Sequence, residues 1–494
     1  MKKEQDGCKW RIHASPKYGL HNFFVIKKMG PDHSGGGVID VKNPPMTSKL
    51  VKFLIGKELA IKEIHGNDTL SHHQLVWFAE TSLKTNPGSR VVLESDPSTH
   101  KFERIFIAFE ACISGFKYCR PMVALDGTFL KGKFKGCLLS ATAKNGNQGI
   151  YPLAMAVVLS ENEANWRWFL ENLKMVVALE RKLTFLSDRH CGLLSSIPTV
   201  FPDSYHSYCY WHMKNNLSAT LTKKNRKRDW IIKLFTKCAY AATHVEFQNC
   251  FADMIVAAKN VSVNEFFARA PVEHWANAYF RGSRYGNMCS NIAESFNAMI
   301  VEERSLPITS MLDMIRVKLM RMMSKRREKS REWTTILCPK MEKLLKERVQ
   351  EGRTWRVTKS SDYVFEVHTT ESRQVDLQVG RCTCNMWSIE GFPCAHAIRC
   401  MAIGNCDVYS FYDPYYHSST YRDSYAHAIY PIPDSEKPRV EPKDPILLPP
   451  DCKRAPGRPA KKRKESRGVV RKKMIKCGTC KNYGHNRRTC SFDK

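Results

Sequence analysis

An apolar run that ends on a carboxylate constrains this chain more than any other stretch. Pro121 to Ala143 reads PMVALDGTFLKGKFKGCLLSATA: a strand-forming run stops at Asp126, a Gly-rich turn follows, and a second apolar run begins. A lone Asp-Gly is an ordinary turn signal. The arrangement recurs, however, at Leu183 to Asp188 (LTFLSD), and Glu294 sits in the helix-compatible NIAESFN of residues 291–297. A carboxylate at the end of a buried strand is costly unless something compensates, and a cation is the usual compensation. Two strand-end aspartates and a helix-borne glutamate make an oxygen-ligand set for two divalent cations, Mg2+ or Mn2+. Such a pair can bind both the attacking and the leaving oxygen of a phosphodiester.

The charge balance points to the same kind of partner. The 494 residues carry 78 Lys and Arg against 48 Asp and Glu, a formal charge of +30. An excess that is clustered rather than even favours a polyanion, because each cation that engages a phosphate releases counterions. DNA is the expected partner. No apolar run approaches the roughly 20 residues of a membrane span, and the opening MKKEQDGCKW lacks the apolar core of a secretory signal. The chain reads as intracellular, with no membrane partner, so its 19 cysteines argue for metal ligation rather than disulfides.

The fold class read from the pattern is α/β, a mixed sheet with an all-α insertion and small zinc-binding modules. Residues 1–41 alternate as short strands. Residues 42–90 read as helical segments broken near Gly66-Asn67-Asp68. From 91 to 213, strand signals at 102–109, 121–126, 137–143 and 150–158 precede a helix from about Glu163 with Trp166, Phe169, Leu170, Leu173 and Val177 on one face. The Asp188 strand, a short helix and a strand through Tyr205–Tyr210 follow. Three strands, a helix and then alternating strand and helix is the order of an RNase H-like sheet.

Residues 214–278 read as the all-α insertion and contain Lys223–Arg228, five basic residues in six. Residues 279–350 complete the core and add basic helices. In them Leu312, Ile315, Leu319 and Met322 form an apolar stripe, with Arg316, Arg321, Lys325, Arg326, Arg327, Lys329 and Arg331 as the charge. Residues 351–410 form a β-rich, cysteine-bearing module. Prolines crowd the chain from Pro431, and Lys453–Lys473 holds eleven Lys or Arg against one Glu, so 431–473 is expected to be a disordered basic linker.

Three cysteine motifs stand apart. Cys382-x-Cys384-x9-Cys394-x-His396 sets three thiolates and an imidazole within fifteen residues, fitting a closed tetrahedral Zn2+ site. In residues 474–494, Cys477-x2-Cys480-x4-His485-x4-Cys490 has the spacing of a zinc knuckle, with Tyr483 as a stacking face for single-stranded nucleic acid. Cys209-x2-His212 has no matching pair, and reads first as a structural Cys and His supporting the acidic site. Between them the first two motifs predict two structural zinc ions. In the linker, Arg458 within Gly-Arg-Pro, flanked by Lys461, Lys462, Arg463 and Lys464, resembles an AT-hook for an A·T minor groove. The same run serves as a nuclear-import signal, which places the protein in the nucleus.

From about Asn86 to Met401 the sequence resembles the plant Mutator-like (MULE/MuDR) DNA transposases. The resemblance is closest in LDGTFLKGKFKG, GNQGIYPLAMAVV, ENEANWRWFLENL, LTFLSDRH, SYCYWHMKNNL and SRYGNMCSNIAESFNAMI. It implies an RNase H-like core of the DDE type with Asp126, Asp188 and Glu294 on the three acidic positions. It also implies a SWIM-type zinc finger at Cys382, Cys384, Cys394 and His396, and a homo-oligomer when acting on DNA. Residues 7–41 resemble the tail end of the family's N-terminal zinc module, but Cys8 and His33 are its only well-placed ligands. A truncated remnant is expected there. The function implied is phosphodiester hydrolysis and strand transfer. The alternatives are a transposase-derived transcriptional regulator without catalysis, similar to the plant far-red-response factors, and an inactive genomic remnant.

Overall fold

The computed structural model describes residues 66–177, 180–221, 227–258, 261–440 and 446–451, with two strands near the start and single positions 56, 63, 64 and 480. The chain divides into two compact units, Met1–Ile61 and Lys62–Lys494. In the first, β1 (Ile12–Pro16) and β2 (Phe24–Met29) pair antiparallel, with a register shift between His13 and Ala14. Cys8 and His33 lie outside the described residues.

The second unit opens with α1 (Asp68–Thr85), whose N-terminus is capped by the Asn67 side chain accepting from the Leu70 amide at 2.7 Å. Then come β3 (Arg90–Ser95), β4 (Phe102–Ala108), α2 (Glu110–Phe116), β5 (Met122–Phe129), β6 (Cys137–Lys144) and β7 (Ile150–Val158). Next are α3 (Glu163–Lys174), β8 (Thr184–Ser187), α4 (Cys191–Val200), β9 (Tyr205–Tyr208) and α5 (Tyr210–Thr220). The seven strands form one mixed sheet in the order β3-β4-β7-β6-β5-β8-β9. Neighbours from β3 to β5 are antiparallel, while β5, β8 and β9 run parallel. The inner strands are continuous apolar runs because helices cover both faces: β6 is buried from Cys137 to Ala143 and β7 from Tyr151 to Val158. The expected face of α3 is the buried one, with Trp166, Phe169, Leu170 and Leu173 in the core. Edge strand β3 has no counterpart in the sequence reading; its RVVLES is only half-buried along five of its six residues.

After β9 the elements are helical: α5, then α6 (Arg228–Tyr240), α7 (His244–Ala258) and α8 (Val261–Ala268). They enclose a core of their own around Met213, Leu217, Phe235, Met254 and Trp275. The basic run survives in the described residues only as Lys227 and Arg228. The chain returns to the sheet through α9 (Asn291–Met299), which packs on β5, β6 and β7. It then enters α10 (Ile308–Arg331), a 24-residue helix against α1, and α11 (Pro339–Gly352). A four-stranded antiparallel sheet follows, β10 (Arg356–Lys359), β11 (Val364–His368), β12 (Ser372–Asp376) and β13 (Arg381–Cys382). With it come α12 (Met386–Glu390) and α13 (Ala395–Ile403), and α14 (Ser418–Ser424) closes the helices.

Several cations of α10 are held within the fold. Arg316 is buried and pairs with Asp313 at 2.7 Å, and the Arg327 side chain donates to the Tyr425 carbonyl at 2.6 Å. Arg326 donates to the Tyr425 hydroxyl at 3.0 Å. These guanidiniums satisfy backbone and hydroxyl oxygens that arrive from far along the chain, which local spacing cannot reveal. The proline-rich stretch from Pro431 is not disordered throughout. Ile432 and Leu447 are buried in the main core, Gln74 donates to the Pro438 carbonyl at 2.8 Å, and Leu448 bridges Lys101. Two apolar anchors and edge pairing hold a segment that its prolines keep from being a helix. Leu447→Ala should therefore destabilise the protein by about 2–5 kcal/mol. Chemical denaturation would show this as an earlier midpoint, and an unmoved midpoint would detach the segment from the core.

Candidate active site and zinc centre

The parallel pairing of β5 with β8 leads the two aspartates to corresponding positions. Its register matches Met122 with Thr184, Val123 with Phe185 and Ala124 with Leu186; Asp126 follows two residues on within β5, and Asp188 lies just past the end of β8. Alternation along β5 turns Met122 and Ala124 to the face where they pack on Ile292 and Ala293 of α9. Asp126 shares that face. Its Oδ2 accepts from Nδ2 of Asn297 at 2.7 Å, and its Oδ1 accepts from the Gly127 amide at 3.0 Å. Asp188 begins the turn into α4, where its Oδ1 accepts from the His190 amide at 3.1 Å. Glu294 lies one turn before Asn297 on the same helix and is exposed. The pattern of residue types did not single out Asn297, although its i+3 spacing from Glu294 marks it.

A second layer carries the site's positive charge. Cys209 caps α5, and its Sγ accepts from the Ser290 amide at 3.3 Å. His212, one turn into α5, is raised to about 9. Its hydrogen bond with Cys209 is the main cause, and the charges of Cys209, Asp188 and Asp126 add to it. The Cys209 thiol is lowered correspondingly, first by its hydrogen bond with Cys289 and then by His212. The shifts run in opposite directions, favouring the protonated ring at His212 and the deprotonated sulfur at Cys209. Arg304, close enough to Asp126 to feel its charge, donates to the Thr128 hydroxyl and to the Phe129 carbonyl. Cys209 and His212 thus lie within electrostatic reach of the two aspartates. Cys289 and Arg304 had no signal in the sequence, since one reaches the site from a loop and the other from a single 3-10 turn, Glu303–Ser305.

The zinc motif is gathered. Among the described residues, Cys382, Cys384, Cys394 and His396 are the group of three or more Cys, His, Asp or Glu placed to hold an ion, with ligand atoms within 4.8 Å of one another. Asp126, Asp188 and Glu294 are not drawn into such a group. Cys382 ends β13, Cys384 follows in the turn, and Cys394 caps α13, whose first turn carries His396. Asn385 at φ 57° makes the left-handed step that turns the chain from Cys384 into α12. The Trp355 ring stacks on His396 with centroids 4.6 Å apart. The donor set fits zinc: the three sulfurs are close enough to compete for protons, which lowers the Cys384 thiol and raises that of Cys394. A dication removes this competition for protons by ionising all three sulfurs. In addition, Nδ1 of His396 is buried without a hydrogen-bond partner. Cys477, His485 and Cys490 of the knuckle lie outside the described residues, as do Arg458, Lys461, Lys462, Arg463 and Lys464.

Two outcomes follow from this geometry. Cys394→Ser should release about one zinc per chain on metal analysis and expose the finger to proteolysis; unchanged zinc content would contradict the assignment. Because folding raises His212 above its ordinary 6.5, the stability it contributes is complete below pH 6.5 and is lost as pH rises through about 9. Histidine NMR should find that high midpoint, and Cys209→Ser should bring it back toward 6.5. A midpoint near 6.5 in both proteins would dissolve the pair.

Comparison with known proteins agrees with this layout. The profile of the MULE transposase domain matches residues 122–216, and that of the SWIM zinc finger matches residues 373–399. Protein FAR1-RELATED SEQUENCE 4 of Arabidopsis thaliana is 20% identical over 141 residues, 28% of this chain and 19% of that protein. Protein FAR1-RELATED SEQUENCE 5 of the same plant is 21% identical over 152 residues, 31% of this chain and 19% of that protein. The transposase of insertion sequence element IS406 from Burkholderia multivorans is 28% identical over 113 residues, 22% of this chain and 29% of that protein. The chain thus spans under a third of the length of each of these relatives. It carries a stretch similar to the MULE transposase domain, followed by one similar to the SWIM zinc finger.

Proposed function

We propose that residues 91–213 and 279–350 form an RNase H-like DDE core that cuts DNA and joins freed 3′-hydroxyls to a target. The observation that supports this reading is the β5–β8 register, which leads Asp126 and Asp188 to corresponding positions along neighbouring strands, while α9 packs on the same face and its Asn297 donates to Asp126. The strand order β7-β6-β5-β8-β9, with the last three parallel, supports the fold reading. Asp126, Asp188 and Glu294 would hold Mg2+ or Mn2+, whose chemistry is to activate the attacking oxygen and stabilise the leaving one. Asn297 fixes the Asp126 carboxylate through its amide, leaving the remaining lone pairs for a cation. His212 offers a proton-bearing cation beside the aspartates, suited to the phosphate of bound DNA. The DNA itself is gathered by the +30 chain, with the zinc modules and basic linker as further contacts. The import run implies work in the nucleus, and cutting two element ends implies a homo-oligomer on DNA.

A derivative that binds DNA as a regulator without cutting is the second reading. The exposed position of Glu294 on α9 favours it. The two are separated by incubating purified protein with Mg2+ or Mn2+ and labelled DNA bearing candidate terminal repeats. The enzyme reading predicts nicked and joined products that vanish in Asp126→Ala, Asp188→Ala and Glu294→Ala, each by at least about 100-fold, with DNA binding retained. Binding without products from the unaltered protein would leave the regulator.

A further inference from the structure

The cysteine pair beside the acids has a chemistry that neither module assigns. Cys209 and Cys289 are far apart in sequence, yet backbone contacts hold their segments together. The Tyr210 amide donates to the Met288 carbonyl at 2.8 Å, and the Ser290 amide donates to Sγ of Cys209 at 3.3 Å. Cys289 lies between those two contacts, one peptide unit from the Ser290 nitrogen that donates to the Cys209 sulfur. Three features make Cys209 the nucleophile of the two. It sits at the N-terminus of α5, it accepts a backbone N–H, and it has the His212 ring one turn away. Cys209 is only 1% exposed, while its neighbours Cys289 and His212 are partly exposed. Other buried thiols lack this setting: burial pushes Cys112 and Cys119 up to about 12, where they are inert.

We propose that Cys209 and Cys289 are a peroxide-sensitive pair, converted by hydrogen peroxide into a disulfide that ties the start of α5 to the segment entering α9. The Cys209 thiolate attacks one peroxide oxygen; the S–O bond forms, the O–O bond breaks, and the departing hydroxide takes a proton from the imidazolium of His212 and leaves as water. The Cys209 sulfenic acid is then attacked by Cys289 sulfur. The S–S bond forms, the S–O bond breaks, and the hydroxide leaves with the Cys289 proton as a second water. Two thiols are oxidised and one peroxide is reduced to two waters, with a resolving cysteine already in place. The bond would fix the spacing between His212 and the helix that carries Glu294. Its effect on cutting rests on the proposed active site; its formation does not.

The test reads the bond itself. The zinc-loaded, full-length protein is titrated with hydrogen peroxide and mapped by mass spectrometry without reduction, with the exposed Cys191 as the dose marker. A peptide joining Cys209 to Cys289 should appear at doses that leave Cys112 and Cys119 reduced, and dithiothreitol should remove it. In Cys289→Ser the reaction should stop at a Cys209 sulfenic acid, giving at least about tenfold more dimedone adduct there than in the unaltered protein. Cys209 recovered as free thiol after Cys191 is oxidised overturns the proposal. So does a bond from Cys209 to any other cysteine. Neither result requires a variant to fold, and neither depends on nuclease activity. Loss of cutting with the disulfide absent would count against the active-site reading alone.

Discussion

The pairing of β5 with β8 is the constraint on which the site depends. Parallel strands need a crossover, and α3 supplies it, burying Trp166 and Phe169 against the sheet. Once Ala124 is matched to Leu186, Asp126 sits two residues further along β5 and Asp188 just past the end of β8. A slip of one residue would turn every side chain of the displaced strand to the other face, so the apolar pattern that specifies the core also specifies the site. The cost of holding two carboxylates at one sheet edge is offset locally: an amide from Asn297, backbone N–H groups from Gly127 and His190, and the cationic His212 nearby.

The zinc finger is built on a different logic. Its sheet has a small core, with Phe365, Val367, Val375, Ala397 and Met401 at its centre. Little apolar area is available to a module of this size, so metal ligation supplies folding energy that burial cannot. Its ligands come from a strand end, a turn and a helix start, three places where backbone geometry is already determined by the sheet and α13. The catalytic candidates instead depend on a large preformed sheet, and α9 brings Glu294 to it only after the helical insertion has run its course.

Much of this was legible in the sequence for physical reasons. The central strands are buried on both faces, so they read as unbroken apolar runs, and the acids stand out where those runs stop. The zinc ligands are close in sequence, so spacing alone identified them. What escaped notice was non-local. Asn297 is an unremarkable helical residue until Asp126 lies beneath it; Cys289 acquires a role only because Met288 and Ser290 meet the start of α5. Arg326 and Arg327 look like surface charge until the segment at Tyr425 arrives to accept from them. Prolines from Pro431 suggested disorder because composition does not show that Ile432 and Leu447 find the core. The half-buried β3 lacked the apolar density that marks its neighbours.

The claim that three separate elements form one cation site is tested most directly by Mn2+ binding to the zinc-loaded protein, followed by electron paramagnetic resonance. The account predicts about two bound ions per chain. Asp126→Asn and Asp188→Asn should each weaken that binding at least about tenfold, while the same change at Asp203, an acid in the turn after α4, leaves it intact. Mn2+ binding that is indifferent to Asp126 and Asp188 would contradict it.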